Sequence, residues 1–261
     1  MAVKSDVLLA VVQEEALLPL AARAVDAVLS GDGDPRCSVM MLTDGTTSST
    51  ALFQATQLLC ITGGVAVFYV SAPALNCNVT QTQMNRVIAE ARKVRQVSWC
   101  VTVVVVSDDL TFLAAFAQWS LKGRLLVWST RLLVLTRLPL HHLQVLHGLL
   151  SMTNSMLFVV ENVFGKLRCG MYVHWPYSPQ ILRAASWSSE CGLTLNSNSQ
   201  LFPEKFSKFA QRPTFVVAMD ERISTTAFMK KDETALGGQR LWFKGPEAEI
   251  LDWVAKGMNF T

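Results

Sequence analysis

The chain has 261 residues, 51% of them hydrophobic and 16% charged, with a mean hydropathy of +0.30 and a formal net charge of +3. That much apolar material fills a sizeable core, in one large domain or two smaller ones, and excludes a disordered chain. The basic residues are scattered along the chain rather than massed, so its overall charge singles out neither a nucleic acid nor an anionic membrane as partner.

From the start of the chain, "VLLAVV" (7–12) is short and runs into Gln13, Glu14 and Glu15 with no small-residue cleavage site, so no secretory signal is evident. Residues 14–30 place Leu17, Leu20, Ala21, Ala24, Val25 and Val28 at helical spacing, and "GDGDP" (31–35) ends the pattern. "CSVMMLTD" (37–44) reads as a strand closing on Asp44-Gly45. The hydroxyl cluster after it suits the cap of a helix over "ALFQATQLL". A bilayer helix needs about 20 consecutive apolar residues. The nearest candidate, "LLCITGGVAVFYVSAPAL" (58–75), is broken by Gly63 and Gly64, and its "VAVFYVS" reads as a strand, so no membrane span is expected.

A helix around "QMNRVIAEARKVR" (84–95) precedes "WCVTVVVVSDD" (99–109), whose β-branched run marks a strand buried on both faces of a parallel sheet. Asp108 and Asp109 are placed to cap "LTFLAAFAQWSL" (110–121). "RLLVWST" (124–130) reads as a strand, "LHHLQVLHGLLS" (140–151) as a helix and "MLFVVEN" (156–162) as a strand. This alternation implies an α/β fold, a three-layer lobe with a mostly parallel sheet and right-handed crossovers. After 162 the rhythm changes. "GKLRCGMYVHWPYSP" (165–179) suggests an extra strand, 183–221 a long irregular connector reaching the strand "TFVVAM", and 222–241 a polar Gly-containing segment. "GPEAEILDWVAKGMNF" then resumes helical spacing at Ile250, Leu251, Val254 and Met258.

The six cysteines, Cys37, Cys60, Cys77, Cys100, Cys169 and Cys191, are spread widely and form no CxxC pair. That spacing argues against a zinc ribbon and suits either disulfides, of pairing the sequence leaves open, or buried thiols. Two glycosylation triplets occur, at Asn78 and at Asn259.

Several strings taken together, "FLAAFAQWSLKGRLLVWSTRLLVLTRLPL" (112–140), "SMTNSMLFVVEN" (151–162), "PYSP" (176–179), "ASW" (185–187) and "LFPEKFSKF" (201–209), resemble the amino-terminal region of arthropod ionotropic receptors. These are variant ionotropic glutamate receptors that serve as chemosensory cation channels, and the resemblance is closest to crustacean members. It implies a periplasmic-binding-like amino-terminal region over 1–212. Residues 213–261 would then be a connector strand and the first elements of a clamshell ligand-binding domain, with the chain truncated just inside that domain. The implied location is the extracellular side of the plasma membrane, and the implied partners are other receptor subunits or a co-receptor. No ligand-contact residue is carried over, because the family's carboxylate-binding arginine, pore and second clamshell segment have no counterpart in these residues.

Other chemistry finds little footing. His142 and His147 are five residues apart and miss the i, i+4 helix face of a zinc pair, so His141, His142 and His147 read as surface histidines and His174 as structural. No GxSxG elbow, signature cysteine or Walker loop is present, and no enzyme, cofactor or metal is expected. Trp119, Trp128, Trp175, Trp187, Trp242 and Trp253 read as core rather than as a ligand cleft, and Arg86, Arg92, Lys93 and Arg95 as a solvated helix face. A second reading competes with the receptor: a soluble α/β module binding a small molecule near Asp44–Thr50 and Asp108–Asp109, or a non-functional receptor fragment.

Overall fold

The computed structural model describes residues 21–31, 37–60, 63–70, 77–163, 166–176, 178, 180–196, 200–205, 214–215, 226–231 and 237–261. These fall into two compact units, Met1–Trp175 with Pro179–Pro203, and Pro176–Ser178 with Glu204–Thr261.

The first unit is α/β, a sheet with helices on both faces, as the strand and helix alternation requires. Helix α1 (described over 21–31) leads to β1 (Ser38–Thr43), α2 (Ser49–Gln57), β2 (Val65–Tyr69), α3 (Cys77–Val97) and β3 (Val101–Val106). Then come α4 (Leu110–Lys122), β4 (Arg131–Thr136), the 3₁₀ turn η1 (Leu140–Leu146), α5 (His147–Ser151) and β5 (Asn154–Val163). Strands β6 (Lys166–His174), β7 (Ile181–Ser188) and β8 (Gly192–Leu195) complete the unit. The spatial order is β2-β1-β3-β4-β5-β6-β7-β8. Strands β2 to β5 pair in parallel, and β5 to β8 are antiparallel.

Period-two alternation divides the central strands between two cores. Val39 and Met41, Val104, Leu133 and Leu135, and Met156, Phe158 and Val160 face α1 and α2, which contribute Ala24, Val25, Val28, Leu52 and Ala55. The intervening residues, Met40 and Leu42, Val103 and Val105, Leu132 and Val134, and Leu157 and Val159, pack on the other face. There they meet Met84 and Ile88 of α3, Phe112 and Phe116 of α4, Leu143 and Leu146 of η1, and Leu149 and Leu150 of α5. Each fully buried aliphatic side chain contributes about 1.5–3 kcal/mol, so a strand apolar on both faces is stable only between two helical layers. Gly123, the cap residue that ends α4, packs directly on α3: a Cβ there would lie 2.4 Å from Cγ2 of Ile88.

Three elements differ from the sequence reading. Residues 124–130 are a turn, and the strand is the next run, Arg131–Thr136. Leu125 and Leu126 are buried there as plugs beneath the loop, which explains their apolar character without a strand. Residues 140–151 split into η1 and α5 rather than one helix. Part of the supposed connector is instead the β7–β8 hairpin, its turn closed by Gly192 at φ +65, a conformation glycine adopts without penalty. The supposed strand over "TFVVAM" falls largely outside the described residues.

In the second unit, β9 (Thr226–Lys231) and β10 (Gln239–Lys244) form an antiparallel hairpin, followed by α6 (Pro246–Met258). Pro246 at the first helical turn, Glu247 and Glu249 beside it, Lys256 in the last turn and a left-handed Asn259 after it are strong start and stop signals. The amide of Phe215 donates to the carbonyl of Thr261, and the Phe215 and Phe260 rings meet edge to face at 4.8 Å. Trp242, Phe243, Ile250 and Trp253 are exposed. Among the described residues no helix is long and apolar enough to cross a membrane.

Candidate functional site

The strand order places a topological switch point at the carboxyl ends of β1 and β3. From β1 the chain moves outward through α2 to β2, then returns through α3 to β3 on the other side of β1. A crevice outside the strand ends at such a reversal is where open α/β sheets take ligands.

The residues that the sequence singles out there are brought together. Asp44, just past β1 and buried, accepts hydrogen bonds on Oδ1 from the amide and hydroxyl of Thr46, at 2.9 and 2.6 Å. Its Oδ2 accepts from the hydroxyl of Ser107, just past β3. Ser107 Oγ in turn accepts from the amide of Asp109 at 2.9 Å, and Asp109 caps α4 by accepting from the amide of Thr111 at 2.8 Å. Ser48, from the predicted hydroxyl cluster, caps α2 through the amide of Ala51. Asp108 does not cap α4. Its carboxylate instead accepts from the backbone and side chain of Arg137 and from the hydroxyl of Thr136, beyond β4.

Hydrogen bonds therefore run across the carboxyl ends of three adjacent strands. Chemically this is a clasp: protein donors already serve the Asp44 and Asp108 carboxylates, and the Ser107 hydroxyl donates to Asp44. Such a cluster holds a loop edge in one shape. A cavity of about 250 Å³ lies elsewhere, at the antiparallel side of the sheet, lined by Arg168, Arg183, Ser186, Glu190, Cys191 and Thr194 among others.

No known family and no curated protein matches this chain.

Of the cysteines, Cys37 and Cys100 are joined in a disulfide between the starts of β1 and β3, with Cα atoms 4.7 Å apart. Cys60, Cys169 and Cys191 are free. The side chains of Cys77 and Asn78 lie outside the described residues, although their backbone forms the first turn of α3. Asn259 is exposed at the end of α6. Cys169 lies in the core on β6, and burial pushes its thiol up to about 12. An alkylating reagent applied to the native protein is expected to modify Cys60 and Cys191 and to spare Cys169 until the chain unfolds, because only the thiolate reacts. Peptide mapping by mass spectrometry checks this. Labelling of Cys169 in the native state would contradict its place in the core.

The sequence reading missed one contact between histidines. Nδ1 of His147, at the start of α5, lies 3.0 Å from Nδ1 of the buried His174 on β6. No spacing rule links residues 27 apart on different elements; only the sheet order brings them together. His141 and His142 instead meet edge to face. Among the described residues no group of three or more His, Cys, Asp or Glu is arranged to hold a metal ion.

The tryptophans also depart from expectation. Trp187 is buried, but Trp128, Trp242 and Trp253 are exposed, as is Trp99, which the sequence reading passed over.

Lys205 is only 2% exposed, and burial lowers its pKa to about 7. The folded state therefore begins to release this proton near pH 7, whereas the unfolded chain keeps it until about pH 10.5. The unfolded state binds more protons across that window, so this group makes stability rise with pH from about 7 to 10. Thermal melts are expected to show wild type gaining stability between about pH 7 and 10 relative to Lys205→Met, which lacks the titrating group. Equal slopes in both proteins would show that the ammonium is solvated in the fold.

Proposed function

We propose that this chain is the extracellular amino-terminal part of a chemosensory ionotropic receptor subunit, the pore belonging to the parent protein rather than to these residues. The observation that carries this reading is the Cys37–Cys100 disulfide, which ties the first and third strands at their starts. Such bonds persist in oxidising compartments and are rare in the cytosol. The resemblance of the strings between residues 112 and 209 to the receptor family supports the reading. The α/β lobe supplies a scaffold of the expected class, and the second unit, with its hairpin and an α6 that buries no side chain, would be the first segment of a ligand-binding clamshell. In that role the lobe serves folding, trafficking or assembly with other subunits or a co-receptor at the outer face of the plasma membrane.

A second reading, a soluble α/β module that binds a small molecule, is favoured by the reversal of strand order at the carboxyl ends of β1 and β3, where open α/β sheets take ligands. A non-functional receptor fragment is a third outcome of the same tests. Expression behind an added secretory leader distinguishes the compartment. The receptor reading expects secreted protein with Cys37–Cys100 oxidised and a glycosidase-sensitive glycan on Asn78. Retention of a reduced, unglycosylated chain would contradict it.

A further inference from the structure

The edge of the sheet opposite the switch point gathers cations and exposed indoles. Helix α3 leads into β3 and α4 into β4, so both helices end beside the amino ends of these adjacent strands. Nη2 of Arg95 near the end of α3 donates to the carbonyl of Arg124 just after α4, at 3.4 Å, joining the two helix ends. Residues 91–107 and 117–135 contain Arg92, Lys93, Arg95, Lys122, Arg124 and Arg131, and no aspartate or glutamate. Lys93 is paired with Glu90, and Arg131 lies over the Phe202 ring. The two helix dipoles offset only about one charge between them, so the edge remains cationic, a local asymmetry that the near-neutral total conceals.

Trp99 is 92% exposed and Trp128 is 83% exposed. Trp99 lies in the bend just before β3 and Trp128 in the turn just before β4, so both indoles belong to the loops that enter two adjacent parallel strands at their amino ends. Large indoles left in water beside several cations are the composition of a binding surface rather than of a solvated helix face. Isologous pairing with a second copy would bring like charges together.

We propose that this amino edge binds an anionic polysaccharide, with Trp99 and Trp128 as stacking platforms and Arg92, Arg95, Lys122 and Arg124 as counter-charges. Guanidinium and ammonium groups pair with the sulfates and carboxylates, and the indoles offer rigid flat area to the apolar faces of the sugar rings. Stacked nucleobases on a phosphate backbone would satisfy the same groups. The disulfide at this same edge fits an oxidising compartment outside the cytosol, where a glycan is a more accessible polyanion than the nucleic acids of the cell interior. The inference rests on the compartment assigned in the receptor reading.

The test uses the full oxidised chain on immobilised heparin at near-physiological ionic strength of about 150 mM, with single-stranded oligo-dT and phosphatidylserine vesicles as competing probes. The expected result is salt-sensitive binding with a change in tryptophan fluorescence. Trp99→Ala with Trp128→Ala should weaken it at least about tenfold, the scale of losing two stacking platforms. Arg92→Gln with Arg124→Asn should flatten the salt dependence, asparagine being chosen because residue 124 has φ +52. Circular dichroism melts establish that each variant is folded. Absence of binding, binding unchanged in both folded variants, or stronger binding to oligo-dT or to vesicles than to heparin would overturn the proposal. Loss of heparin binding with Cys37–Cys100 intact sinks this inference alone, whereas a chain that stays reduced in secreting cells sinks the compartment on which both readings rest.

Discussion

Cys37→Ser is expected to lower the unfolding free energy by about 4 kcal/mol, the chain-entropy value for a closed loop of this size, given the sequence separation of 63 between Cys37 and Cys100. The loop that the bond closes contains β1, α2, β2 and α3, so freeing it releases the whole outer part of the parallel sheet into a larger unfolded ensemble. Cys100→Ser should cost the same amount, and the double variant no more than either single one, because all three delete one bond. Denaturant unfolding of the oxidised wild type, the reduced wild type and the three variants checks the prediction. A loss below about 1 kcal/mol, within the range of an ordinary substitution, would mean that the bond does not constrain the unfolded chain.

Asp44→Ala should be nearly as damaging. The carboxylate accepts from the Thr46 amide, the Thr46 hydroxyl and the Ser107 hydroxyl, and hydrogen bonds to a charged group contribute about 1.5–3 kcal/mol each before partners re-pair with water. Since Thr46 is exposed and can re-pair, a net loss of about 2–4 kcal/mol is expected, most of it from Ser107, which is left buried without its acceptor. Ser107→Ala in the Asp44→Ala background should restore part of the loss, because removing both partners is cheaper than orphaning one. Thermal unfolding of the two single variants and the double variant provides the cycle. Additive costs would show that the two side chains are not coupled across the switch point.

The parts of the fold legible in the sequence were those where one physical signal dominates. "VTVVVV" can only be a strand buried on both faces, and Asp109 with Ser48 announced two helix starts through their caps. The errors arose where an apolar run had two uses. Leu125 and Leu126 look like strand residues but plug the core from a turn, and "RAASWSS" with "GLTL" looks too polar for a sheet because β7 buries only Ala184, Ala185 and Trp187 and leaves its arginine and serines at least partly exposed. The candidate site divided in the same way. Asp44 and Asp108–Asp109 were visible as strand-end acids, but Asp108's pairing with Arg137 and the meeting of His147 with His174 depend on which strands become neighbours. The exposed Trp99 escaped notice because an aromatic beside a β-branched run looks like core until the helix ends and strand starts are placed around it.

The measurement that tests the receptor reading most directly is the sequence of the complete transcript, read upstream of the codon for Met1 and downstream of that for Thr261. The reading predicts a signal peptide before the lobe and, after it, an arginine-containing clamshell segment and three apolar membrane segments. A stop codon directly after Thr261 with no signal peptide upstream would contradict a channel subunit and leave the α/β module or a receptor remnant in its place.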